Sequence, residues 1–292
     1  MSCPDCFRGS VHTHSEPTGT IETLHGVRTY VAGSSDSSRS KSAILYLPDA
    51  FSLKLVNNKL LADQYASATG CRVLIPDVVQ NGGLSPDLMP SMEVVMAPLE
   101  KRTIGAVLYK VYTALTLLPY VVPFMLFGKP ATVYPQILAY ARAVKAELPP
   151  GGKLGVAGFC WGAWPGTKLC TETTVEGGSE RLIDAQFNGH PSYIIDTPEM
   201  VIDAIKTFKV PYASAVAELD IQFNAEAAAQ TEAKLKEAIA GPNEDKYKYE
   251  FRIYKGCHHG FCVRSMKEDE LNAQGGRDAA KQATDWFNKY LN

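Results

Sequence analysis

Gly158-Phe159-Cys160-Trp161-Gly162 follows the stretch Lys153 to Ala157, which reads as a strand, and precedes a segment that reads as a helix. This is the layout of a nucleophile elbow, with a thiol where many hydrolases carry a serine hydroxyl. The glycines at 158 and 162 fit the requirement of a tight strand-to-helix turn, in which larger neighbours would strike the adjacent strand and helix. Pro165 would lack an N–H and crowd the first turn of a helix starting at Trp161, so a late or irregular helix start is expected. G-x-C-x-G alone is a weak pattern. It gains weight because an acid, Asp220, and then a histidine, His259, follow in the chain order of the α/β-hydrolase arrangement.

Outward from the elbow, strands and helices alternate. Val27–Ala32 reads as an edge strand after a polar arm over residues 1–26, and residues 33–42 form a polar loop rich in serine. Ala43–Leu47 is a short unbroken apolar run, as expected of a strand covered on both faces. A helix over 53–69 and a strand at 73–75 follow, and then a helix over 134–148, a strand over 153–158 and a helix from about 163. The pattern continues as strand 183–188, helix 197–207, strand 210–217, helix 224–240, strand 247–254 and helix 276–291. This alternation predicts one α/β domain over 27–292, a mostly parallel sheet with helices on both faces.

The segment 91–129 interrupts the alternation with the apolar stretch Ala106–Phe127. Its length would cross a bilayer. However, Lys110 lies inside it, Pro119 and Pro123 break it, and a single crossing would split an otherwise continuous domain. A pair of helices forming a cap over the site is therefore expected, with Leu117 and Phe124 facing an acyl pocket. Extra core or an oligomer contact, as in a homodimer, is the alternative use of the same surface.

The formal charge of −2 and the lack of a dense Lys/Arg run exclude an electrostatic case for nucleic acid, leaving a small molecule as the expected partner. The seven cysteines, at 3, 6, 71, 160, 170, 257 and 262, are an odd number. The N-terminus lacks the charged-then-apolar pattern of a signal peptide, so a reducing, cytoplasmic setting is expected. Cys3 and Cys6 with His12 and His14 supply zinc-type ligands at spacings that match no usual structural site, and neither a metal nor a cofactor is expected.

The candidate chemistry lies at the carboxyl ends of strands. Cys160 is the nucleophile, beside a helix N-terminus that favours the thiolate. Asp220, with Glu218 two residues away, follows strand 210–217 and would orient an imidazole. His259 and its neighbour His258 follow strand 247–254, and the residues alone do not separate them as base. His190, in Gly189-His190-Pro191-Ser192, reads as a loop support whose ring bonds a backbone carbonyl. The backbone N–H groups of Ala50 and Trp161 are the natural oxyanion hole. Asp49 lies at the same edge, and Trp164 is a candidate substrate contact.

GFCWG, AELD and HHGF, at Cys160, Asp220 and His259, resemble the dienelactone hydrolases, in which these segments occur in this order. The resemblance covers roughly Val27 to Leu291. The arm CPDCFRGSVHTH and the segment LYLPDAF look most like the family's fungal and yeast branch. The resemblance implies hydrolysis of an activated ester, lactone or thioester through an acyl-cysteine, and it selects His259 over His258. It also places Asp49 where classical members carry a glutamate that helps deprotonate the thiol. Arg264 falls near an arginine that holds the substrate carboxylate in those members, one residue displaced. Acyl transfer, lactonisation or isomerisation on the same scaffold is the alternative within the fold, and a noncatalytic or membrane-associated binding protein is the alternative outside it.

Overall fold

In the computed structural model, which describes residues 9–11, 15–33, 40–96, 103–265 and 269–292, strands and helices alternate through one sheet. In chain order they are β1 (Thr20–Leu24), β2 (Val27–Ala32), β3 (Ala43–Leu47), α1 (Val56–Thr69), β4 (Arg72–Pro76), α2 (Met89–Met96), α3 (Ile104–Phe127), α4 (Pro130–Glu147) and β5 (Leu154–Phe159). Next come α5 (Ala163–Leu169), β6 (Ala185–Gly189), α6 (Pro198–Lys206), β7 (Tyr212–Ala217), α7 (Ala225–Ile239), β8 (Tyr249–Tyr254), α8 (Phe261–Arg264) and α9 (Glu270–Leu291). The strand order is β1-β2-β4-β3-β5-β6-β7-β8. Pairing is parallel from β4 through β8, while β2 runs antiparallel to β4 and β1 antiparallel to β2.

The sheet is covered on both faces, and the alternation of side chains along β3 shows why its sequence is apolar throughout. Ile44 and Tyr46 join the core under α1 and α9, whereas Ala43, Leu45 and Leu47 join the core under α4 to α7. Each such leucine or isoleucine contributes about 1.5–3 kcal/mol through removal from water. Parallel strands buried in this way lose the polar alternation of a half-exposed strand.

Three expectations are corrected by the fold. Val27–Ala32 is not the edge strand, because Thr20–Leu24, expected within the polar arm, forms β1 outside it. His25 and Gly26, with φ of 50° and 76°, make the two-residue turn whose twist suits a hairpin. Pro119 and Pro123 do not divide the apolar segment, since α3 runs through both, although neither can donate to the helix ladder. Finally, α9 begins at Glu270, six residues before the expected start, because the Asp269 side chain caps it by accepting from the Asn272 N–H at 3.1 Å. The expected pair of helices in the insertion corresponds to α2 and α3. Most large side chains of α3 are exposed, and only Thr113 and Leu117 of it are buried. The Cys3, Cys6, His12 and His14 cluster lies outside the described residues, and among those described no group of His, Cys, Asp and Glu is placed to hold a metal ion.

Candidate active site

The carboxyl ends of β3, β5, β7 and β8 deliver Asp49, Cys160, Asp220 and His259 to one edge of the sheet. Cys160 has φ of 50°, a left-handed backbone that costs a non-glycine residue energy and persists where the surroundings impose it. A 3-10 turn over Cys160–Gly162 precedes α5, which starts at Ala163. The helix thus begins late, and Pro165 falls among the first-turn positions whose N–H groups have no helical partner anyway.

Both elbow glycines are required by space. A Cβ on Gly158 would lie 2.6 Å from the Gly162 carbonyl oxygen, and one on Gly162 would lie 2.1 Å from the carbonyl oxygen of Leu47 in β3. The obstacle is backbone on both sides, so no side-chain rotation relieves it. Gly162→Ala is expected to lower stability by about 1–3 kcal/mol and to depress activity with it. The midpoint of urea unfolding measures this, and a parent-like midpoint would mean that the elbow is not locked against β3.

The structure brings together Asp220 and His259. Their side chains are fully buried, with His259 Nδ1 2.7 Å from Asp220 Oδ2. The other Asp220 oxygen accepts the Gln222 N–H at 2.8 Å, which fixes the carboxylate. Burial works against a charged His259, yet the charges of Asp220 and Cys160 hold its pKa well above the usual imidazole value. His258 is only half-buried, and its backbone N–H donates to Asn272 Oδ1 at 3.2 Å, so it does not share the Asp220 contact. Glu218 instead accepts the Gly256 N–H at 2.8 Å and supports the loop leading to the histidines.

Other thiols in the core lack this setting. Burial pushes Cys170 and Cys262 far above the usual thiol range, and Cys257 is raised to about 11. Such neutral thiols pack as small apolar groups.

Asp49 and Arg264 form a buried ion pair across 215 positions of sequence. Phe51 N–H and Asn58 Nδ2 donate to the second Asp49 oxygen, each at 3.1 Å. Burial raises the Asp49 pKa, Arg264 opposes this and Cys160 adds to it, so the carboxylate is electrostatically coupled to the candidate nucleophile. The Arg264 guanidinium also stacks 5.2 Å from the centre of the Phe51 ring. Gly260 makes room for it: at φ of 93°, a Cβ there would lie 2.5 Å from Arg264 Nη2.

Two neighbours were not assigned their contacts from sequence. Ser192 Oγ lies 3.5 Å from Cys160 Sγ, and the Ser192 N–H donates to the Cys160 carbonyl at 3.0 Å. His190 does not bond a carbonyl through its ring as expected. Both ring nitrogens are buried without a hydrogen-bond partner, and the ring stands edge-on to His259 at 4.8 Å. Burial, then His259 and Arg264, drive its pKa well below the imidazole range, so it remains neutral. The Gly-His-Pro-Ser loop after β6 was the available signal, but sequence does not indicate which ring a histidine meets.

Of the remaining candidates, Ala50 and Trp161 occupy the loop after β3 and the position after Cys160. The Trp161 indole donates to the Gly128 carbonyl at 2.6 Å, bringing the end of α3 to the elbow. Leu117 is buried and Phe124 half-buried in the core. Trp164 packs edge-on against Tyr134 of α4 at 5.7 Å.

A mostly parallel eight-stranded sheet with an antiparallel second strand and a nucleophile-type turn after β5 defines an α/β-hydrolase. A profile of the dienelactone hydrolase family matches residues 27–291, and the chain belongs to that family, whose hydrolases act on esters. It is 25% identical over 286 residues to hydrolase pyvD of Aspergillus violaceofuscus, covering 98% of this chain and 96% of that one. It is 24% identical to dienlactone hydrolase 1 of Gibberella moniliformis, covering 98% and 93% of the two chains. Among solved structures, one from Klebsiella pneumoniae ascribed to a dienelactone hydrolase superposes with a TM-score of 0.61 at 16% identity, covering 93% of this chain and 98% of that one. Esterase 2 of Thermogutta terrifontis superposes at 0.56 with 12% identity, covering 96% and 97%. At these identities the structural matches bear on the fold alone.

Proposed function

We propose that the chain hydrolyses a small ester, lactone or thioester through an acyl-cysteine at Cys160, with His259 as base and Asp220 as its orienting acid. The observation that carries this reading is the buried 2.7 Å Asp220–His259 pair, electrostatically coupled to a cysteine held at positive φ. In this reading Cys160 Sγ gives its proton to His259 Nε2, and the thiolate attacks the substrate carbonyl carbon. The oxyanion that forms is met by the backbone N–H groups of Ala50 and Trp161. Collapse breaks the bond to the leaving alkoxide or thiolate, which takes the proton from His259. Water then attacks the thioester, gives a proton to His259, and the returning proton leaves Cys160 as the thiol and the product as the acid.

The Asp49–Arg264 pair supports an uncharged acyl group over a lactone that bears a carboxylate. Arg264 is fully buried against Asp49, and a substrate carboxylate would have to separate them. In the same reading Leu117 and Phe124 contact the acyl chain. The direct test is rapid mixing with p-nitrophenyl acetate. A burst of p-nitrophenolate stoichiometric with protein, accompanied by an acetyl mass increment on Cys160, is the expected result. Turnover without a burst and without the increment, or an acyl group on Ser192, would replace this mechanism.

A further inference from the structure

The helix α3 is apolar around its whole circumference, yet it lies outside the core. A stripe of Leu117, Val121 and Phe124 packs on the domain. The other faces carry Ile104, Leu108, Tyr112, Leu115, Leu126 and Phe127, each between 58% and 81% exposed. Contiguous apolar surface of this kind needs an apolar partner, and a helix without a polar face finds it in a core or in lipid. Among the described residues, this is the one helix long and apolar enough to cross a membrane.

A crossing is ruled out by the sheet. β4 precedes α3 and β5 follows it, and β3 pairs in parallel with both. One passage through a bilayer would place neighbouring strands on opposite sides. A helix in this position can only lie in the plane of an interface, with its stripe on the protein and its remaining faces in the headgroup and acyl boundary.

Charge selects the kind of surface. From Thr103 to Ala146 the sequence has no Asp or Glu, and its charged residues are Lys110, Lys129, Arg142 and Lys145. The whole chain is slightly acidic, so this bias is local to the helix and its flank. Lys110 is the only charge within α3, and Lys129 is exposed just beyond its end. Tyr109, Tyr112 and Tyr120, between 56% and 65% exposed, carry the ring-plus-hydroxyl character that suits the boundary between headgroups and hydrocarbon. A twofold contact with a second copy would set this cationic rim against itself, whereas an anionic leaflet complements it.

We propose that α3 docks this protein in the plane of an anionic lipid surface through the faces bearing Leu108, Tyr112 and Leu115. Through the Trp161–Gly128 bond, the docked helix ends at the Cys160 turn, so the catalytic edge of the sheet would lie close to the membrane. The proposal does not rest on which reaction that edge performs.

The experiment is flotation of the full chain with vesicles of phosphatidylcholine alone and of phosphatidylcholine with phosphatidylserine. The protein is expected to float with the anionic vesicles, several-fold less with the neutral ones, and to be released in part by raised salt. Leu108→Glu combined with Tyr112→Glu should weaken binding by about tenfold or more while leaving soluble ester hydrolysis and the circular dichroism spectrum unchanged. Lys129→Glu should weaken it by roughly fivefold. No flotation with either vesicle would overturn the proposal, as would flotation of the double variant at the parent level. A stable dimer that the double variant converts to monomer, without lipid binding by the parent, would assign the face to a second copy instead.

Discussion

Replacing Cys160 with alanine is expected to reduce kcat by roughly 10⁴-fold or more, to what substrate binding and the backbone amides supply alone. The size of the effect follows from the mechanism proposed: without the sulfur there is no acyl intermediate, and His259 and Asp220 have no nucleophile to serve. Cys160 sits on a turn that its glycines already impose, so alanine at position 160 should leave the urea midpoint near that of the parent. Substitution of Cys257 or Cys262 is the control, since both are buried thiols held neutral. A Cys160→Ala enzyme with near-parent turnover would mean that hydrolysis proceeds by direct attack of water, or at another side chain.

Loss of the base is expected to be nearly as severe. His259→Ala should cost roughly 10²- to 10⁴-fold in the acylation rate, while His258→Ala, which lacks the Asp220 contact, should stay near the parent. Asp220→Asn supplies a test that a merely structural role would not pass. Asp220 and Cys160 raise the His259 pKa against the desolvation that lowers it, which favours the protonated imidazole. Removing the aspartate charge should draw the alkaline limb of the kcat/KM profile to lower pH. The same linkage governs stability. A histidine whose folded pKa exceeds its unfolded one contributes stability that is fully present below about 6.5 and is lost as pH rises through the folded value. Asp220→Asn should therefore destabilise the protein most at low pH. An unmoved alkaline limb would separate Asp220 from the base.

The strands most accurately read from sequence are those with the strongest local signal. Ala43–Leu47 and Leu154–Phe159 are continuous apolar runs ended by turn residues, and their burial on both faces is what such runs require. β1 was missed because Thr20–Leu24 has four exposed residues of five, and an exposed edge strand leaves no hydrophobic pattern. The prolines of α3 were misread for the opposite reason. A proline removes one ladder bond, but it does not end a helix whose flanking turns continue on both sides.

The chain by itself determined the chemistry available: a thiol between two obligatory glycines, and an acid and a histidine placed after successive strands. Those features depend on residue type and on spacing along a few positions. Tertiary structure decided the pairings that the residues taken singly left open. Asp220 chooses His259 over His258, Asp49 is taken by Arg264, and His190 turns an unpaired ring toward His259. It also decided that α3 shows most of its apolar surface outward. Periodicity says that a side chain prefers to leave water, and charge says that it prefers a partner. Which group stands within reach is set by contacts between residues distant in sequence, and those exist only once the sheet has closed.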